Sequence, residues 1–131
     1  MNDKSREVTD IVGVLGDMER LLRASGEPER ADYLIALIQS VESDPAAAMQ
    51  SLLGIDFWGG AGSYFDLWIR LGPRWTPSMD LSEVNRKPTE AELALNREYC
   101  AAMLRLLRAL EAEGYTRPDF PMIEQFLVEN S

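Results

Sequence analysis

Residues 89–114, TEAELALNREYCAAMLRLLRALEAEG, decide the fold. Thr89 followed three residues later by Glu92 is a capping-box signature: the hydroxyl accepts the amide of the third helical residue, and that residue's carboxylate reaches back to the cap. Gly114 suits the left-handed position just beyond a helix C-terminus. Between them Leu95, Tyr99, Met103, Leu106 and Leu110 recur at helical spacing, joined by Leu93, Cys100, Leu104 and Leu107. Arg97, Glu98, Arg105, Arg108 and Glu111 are left for solvent. An apolar face this broad needs partners on more than one side, so the segment predicts the central helix of a bundle.

The flanking sequence supplies those partners. Downstream, Arg117-Pro118-Asp119 opens a last short helix whose Phe120, Ile123, Phe126 and Leu127 close the bundle. Upstream, Gly72 to Pro88 holds three prolines and reads as one long loop, anchored on the core by Trp75 and Leu81. Ser5 to Ala24 reads as an amphipathic helix with Val8, Ile11, Val12, Leu15, Met18 and Leu22 inward, and Arg6, Asp10, Asp17 and Arg20 outward. Gly13 and Gly16 weaken that helix, so their small size is expected to serve close packing against a neighbour. Gly26 caps it. Glu27-Pro28 restarts the chain for a second helix, ending near Ser43, with Ala31, Leu34, Ile35, Ile38 and Val41 inward. Asp44-Pro45 repeats the device for a third helix, anchored by Met49, Leu52 and Leu53. The expectation is an all-α single domain over residues 1–131: a compact bundle of five or six helices with a Gly-rich structured turn and one long loop.

That turn lies in residues 55–69, IDFWGGAGSYFDLWI. Three glycines among aromatics imply an ordered turn, and Gly60 is expected to need positive φ or close backbone approach. Ser63 with Asp66 resembles a capping box, which predicts a helix through Tyr64 to Ile69; a short strand over Leu67 to Leu71 is the alternative. The glycines also invite a phosphate-loop reading, but the Lys-Ser/Thr ending is missing and Asp56 and Asp66 would repel an anion. Asp66 reads as a cap. Trp58, Tyr64, Trp68 and Trp75 fit core packing or the lining of a small-molecule pocket, core packing being the simpler role.

Composition restricts the chemistry. The chain has 131 residues, 46% of them hydrophobic, no histidine and one cysteine. Without imidazole the usual neutral-pH general base, metal ligand and nucleophile activator are all missing. Lys4 and Lys87 are the only lysines. Cys100 falls on the apolar side of the central helix, where a thiol is expected to be inert. These facts point to a protein that is not an enzyme, with no cofactor and no metal. The N-terminus lacks the apolar stretch of a secretory signal, which predicts a cytoplasmic protein, and no apolar run suits a membrane span. A net charge of −9 opposes nucleic acid and anionic lipid as partners. Between Ala31 and Ile69 there is no Lys or Arg, while Asp32, Glu42, Asp44, Asp56 and Asp66 are present. Such a stretch is either a solvated face or a docking surface for something basic.

Over residues 58–69 the chain resembles a group of small bacterial proteins of unknown function that carry an aromatic-Gly-Gly-x-Gly-Ser-x-x-Asp-Leu segment. Residues 21–27, LLRASGE, resemble the leading helix and Gly-Glu break of that group. The resemblance implies no activity. In size and charge the chain is also similar to immunity proteins, by analogy alone. The functional expectation is a non-enzymatic protein-binding module, an immunity or antitoxin-like inhibitor of a bacterial toxin with a basic surface, whose partner-binding residues are Asp32, Glu42, Asp56, Trp58 and Tyr64. A small-ligand-binding or regulatory module using the Gly-rich aromatic turn is the alternative. Oligomeric state stays open.

Overall fold

In the computed structural model, residues 3–71, 77–80, 82 and 86–131 are described. They form α1 (Asp3–Ala24), α2 (Pro28–Ser43), α3 (Pro45–Leu52), the single turn α4 (Ile55–Trp58), α5 (Glu90–Ala112) and α6 (Phe120–Asn130), with no strand among the described residues. The chain is an all-α bundle. The side chains of Arg6 and Val8, and Trp75 and Leu81 altogether, lie outside what is described, as does much of the expected Gly72–Pro88 loop.

Local chemistry sets the helix ends. Gly26 (φ 82°) and Gly114 (φ 86°) hold the left-handed positions after α1 and α5, where a side chain would be strained. Asp44 accepts the Ala47 amide at 3.3 Å, and Pro45 occupies the first turn of α3. At the start of α5 both halves of the capping box form: Glu92 N to Thr89 Oγ1 is 3.1 Å and Thr89 N to Glu92 Oε1 is 2.9 Å.

α1 packs along both α2 and α5; α6 packs on α5, and α3 returns against α2. The core is filled by Ile11, Leu15, Met18 and Leu22 of α1, Ala31, Leu34, Leu37 and Val41 of α2, Tyr99, Met103, Leu106 and Leu110 of α5, and Phe120, Ile123 and Leu127 of α6. Three expectations are corrected. Ile35 and Phe126 are exposed, because α2 rotates Leu37 inward and α6 needs only Phe120, Ile123 and Leu127 to meet α5. Gly13 and Gly16 make no close approach: an added Cβ meets nothing within 4 Å at Gly13, and only the Arg20 guanidinium, at 3.5 Å, at Gly16.

Candidate functional site

The Gly-rich segment is built around buried aromatics. Trp58 Nε1 donates to the Leu52 carbonyl at 2.6 Å, and Phe57 stacks on Tyr64 with ring centroids 4.5 Å apart. Tyr64 donates its hydroxyl to the Arg30 carbonyl at 2.7 Å, while Tyr99 of α5 donates to the Tyr64 carbonyl at 2.7 Å. The turn is thereby tied to α2 and α5. Close approach belongs to Gly59, where a Cβ would lie 2.7 Å from the Ile55 carbonyl oxygen, and positive φ belongs to Gly62 at 87°. Gly60 has neither: its φ is not positive and a Cβ there meets nothing within 4 Å, which corrects the expectation placed on it.

Only half of the Ser63–Asp66 capping box forms: Asp66 N donates to Ser63 Oγ at 3.1 Å, but the Asp66 carboxylate accepts from Gly62 N, at 3.3 Å, rather than from Ser63 N. The predicted helix over Tyr64 to Ile69 does not form: residues 63–66 are bends and turns, and the chain runs without regular structure from Leu67 to Leu71. Side chains of α5 take over its backbone. Asn96 accepts from Ile69 N at 2.8 Å and donates to Ile69 O at 2.9 Å. One turn earlier Glu92 accepts from Leu71 N at 2.6 Å, and Arg86 donates to Leu71 O at 2.7 Å. The spacing explains the fit: residues four apart on a helix rise about 6 Å, and residues two apart on an extended chain rise about 6.6 Å. Glu92 and Asn96 thus stand in for a neighbouring strand, running opposite to residues 69–71.

Glu92 is also paired with Arg86 through two contacts of 2.7 Å. The Arg86 guanidinium, the Thr89 amide and the Leu71 amide outweigh burial and hold its carboxyl well below the usual carboxylate range. This clasp keeps the extended segment at a fixed distance from α5.

The segment, α5 and α6 enclose a cleft of about 580 Å³. Phe65, Leu67 and Trp68 form one wall; Leu93, Tyr99, Cys100 and Met103 come from α5; Met122, Ile123, Phe126 and Leu127 come from α6. An edge-on contact of Phe65 with Phe126, centroids 5.4 Å apart, ties the first wall to the third. The rim is apolar and open: Trp68 is 53% exposed and Met122 71%, with Leu93 and Phe126 also exposed. Arg97, Asp66 and Asn130 supply its polar groups. Burial raises the Cys100 thiol pKa, which keeps the group protonated at neutral pH. Among the described residues no three His, Cys, Asp or Glu side chains group as metal ligands.

The residues singled out by sequence fall elsewhere. Trp58 and Tyr64 are 3% and 4% exposed, so they pack the core and leave almost no surface to offer a partner. Asp32 is exposed but pairs with Arg23 at 2.8 Å. Glu42, also exposed, stands ten residues further along α2, about 15 Å along the axis and about 80° around it, so the two acids form no cluster. Asp56 is exposed beside a shallow depression of about 310 Å³ that Arg30 also lines. The Arg30 guanidinium lies 5.1 Å from the Tyr64 ring centroid and donates to Gly62 O at 3.1 Å. Chain neighbours therefore bring basic groups against the stretch that itself has none.

The chain matches no family model, no curated protein and no solved structure. Its functional reading rests on its own geometry.

Proposed function

We propose that the protein is a non-enzymatic protein-binding module whose partner docks on the α5–α6 cleft. The observation that carries this reading is the apolar rim. Trp68, Leu93, Met122 and Phe126 surround an open apolar hollow while a bundle core is already complete beneath them. A contiguous exposed apolar patch beside a groove marks an interaction site more often than isolated surface hydrophobics do. Aromatic and Met side chains are also the types enriched at protein interfaces. A small apolar molecule in the same cleft is the competing reading, supported by a volume within the usual range of ligand pockets, about 300–1,000 Å³.

A more specific form, an inhibitor of a basic toxin, is favoured by the net charge of −9 and by the exposed carboxylates of Glu42 and Asp56. The two protein-binding surfaces separate in one experiment. A photo-reactive benzoyl-phenylalanine is placed at Met122 or at Glu42, the protein is expressed in its source cells, and the covalent adducts are identified. The proposal expects one discrete protein adduct from position 122, re-formed from purified components and abolished by Met122→Asp. An adduct from position 42 alone would move the interface to the acidic side. No protein adduct from either, together with a small molecule copurifying, would overturn the protein-binding reading.

A further inference from the structure

Resting on that reading, we infer that the α5–α6 cleft seats one amphipathic α-helix of the partner, two to three turns long, that presents a carboxylate to Arg97. The dimensions come from the walls. Leu93, Cys100 and Met103 trace the cleft along α5 over ten residues, and Met122, Phe126 and Asn130 trace it along α6 over eight. At 1.5 Å per residue these are rails of about 15 and 12 Å, the length of eight to ten helical residues. Two helices with an open seam form the receptor of a helix-in-groove complex, read by apolar side chains of the incoming helix at i, i+3 or i+4, and i+7. Met122 suits this role, since its unbranched thioether is exposed and adapts to irregular apolar surfaces.

Two observations separate this occupant from others. A small molecule lying in the hollow leaves the outward rim in water, where Met122 is 71% exposed; a helix about 10 Å across covers both the hollow and its rim. A second copy of the chain would bring together two molecules each carrying −9.

Charge supplies the remaining specification. Arg97 lines the cleft, is exposed, and makes no ion pair or hydrogen bond with any described residue. The other polar groups are engaged: the Asp66 carboxylate accepts from Gly62 N, and the Asn130 amide donates to Phe126 O at 2.7 Å. In a chain of net −9, one unpaired cation beside an apolar groove selects a carboxylate on the helix that fills it. The fixed negative charge of Asp66 on the facing wall limits the preference to a single acid rather than an acidic run.

The test is a selection from a displayed library of helix-forming peptides about four turns long, made against the whole protein and against Arg97→Glu. The wild type is expected to enrich amphipathic peptides with one Asp or Glu at the edge of the apolar face. Arg97→Glu is expected to weaken those peptides about tenfold and to enrich Lys or Arg at the same position, whereas Arg97→Lys keeps the acid preference. Arg97 is exposed, and equal thermal melts of the variants verify that folding is not the cause. Because Cys100 lines the cleft, a seated peptide should also slow its alkylation by iodoacetamide about tenfold or more at saturation.

The inference is overturned if the enriched peptides are not amphipathic, if Arg97→Glu leaves the acid preference unchanged, or if Cys100 alkylates at the same rate with peptide bound. Protection of Cys100 by dodecanoate but by no peptide would assign the cleft to a small amphiphile. Concentration-dependent dimerisation that protects Cys100 without any peptide would assign it to a second copy. Where position 122 still yields a protein adduct but the peptide test fails, the binding module stands and the helix falls; where both fail, both fall.

Discussion

Asn96 is the side chain on which the extended segment depends most directly, and its replacement separates hydrogen bonding from packing. Asn96 is buried on α5, and Ile69, whose N–H and C=O it satisfies, is fully buried. Asn96→Ala leaves two desolvated backbone groups without partners, at a cost of about 1–3 kcal/mol each. Removing the amide's own desolvation and gaining a better helix former return about 1–2 kcal/mol together. The net loss is then about 1–4 kcal/mol, against a typical total stability of about 5–15 kcal/mol. Asn96→Asp is the informative partner experiment, because it keeps the shape and one acceptor but turns a donor into an oxygen facing the Ile69 carbonyl. Urea unfolding followed by tryptophan fluorescence should show both variants destabilised to a similar degree with the slope unchanged. If Asn96→Asp unfolds within about 0.5 kcal/mol of wild type, a value typical of uninvolved surface sites, the two-way clasp of Ile69 is wrong and Asn96 serves only to fill space.

The remaining predictions concern acid and glycine. Glu92 has a folded pKa below its unfolded one, so its contribution is full above the ordinary glutamate value of about 4.5 and drains away as pH falls below it towards the folded value. Glu92→Gln should therefore lower the melting temperature at neutral pH and flatten its fall between about pH 5 and 3; an unchanged acid limb would remove Glu92 from the clasp. Gly13→Ala, in open space within α1, should stabilise the fold by about 0.5–1 kcal/mol, while Gly59→Ala, whose Cβ would press on the Ile55 carbonyl at 2.7 Å, should destabilise it. Thermal melts of the two variants moving in the same direction would contradict the assignment of close approach to Gly59.

The helices were legible because their signals are local. Thr89 with Glu92, Asp44-Pro45, Gly26 and Gly114 act within one turn of themselves, and each works as expected. What sequence reading missed lies between distant segments. The Ser63–Asp66 motif is present, yet the helix it should open loses to Asn96 and Glu92, which are 27 and 21 residues from the amides they bind. A signal existed: Glu92 and Asn96 continue the Tyr99, Met103, Leu106 and Leu110 stripe backwards by helical steps, and polar residues on a core stripe need buried partners. The cleft was hidden for a different reason. Leu93, Phe126 and Met122 look like ordinary apolar residues of amphipathic helices, and only the angle at which α5, α6 and residues 65–69 meet leaves them on its rim. For Trp58 and Tyr64 the core-packing reading holds, and the Phe57 stack and the Leu52 bond leave almost no surface for the partner-binding role also expected of them.

Holding a segment by its backbone divides the labour of mutation. Asn96, Glu92 and Arg86 grip amides and carbonyls, which every residue type except proline provides, so the hold on residues 69 and 71 does not depend on the exposed side chain at position 68. Trp68 projects from that held chain with its face in solvent. One wall of the cleft can accordingly change its surface chemistry with little consequence for the bundle, whereas the α5 wall has less freedom, because Tyr99 and Met103, which also line it, belong to the core. A lineage or an engineer altering what this protein recognises would find its cheapest substitutions at position 68.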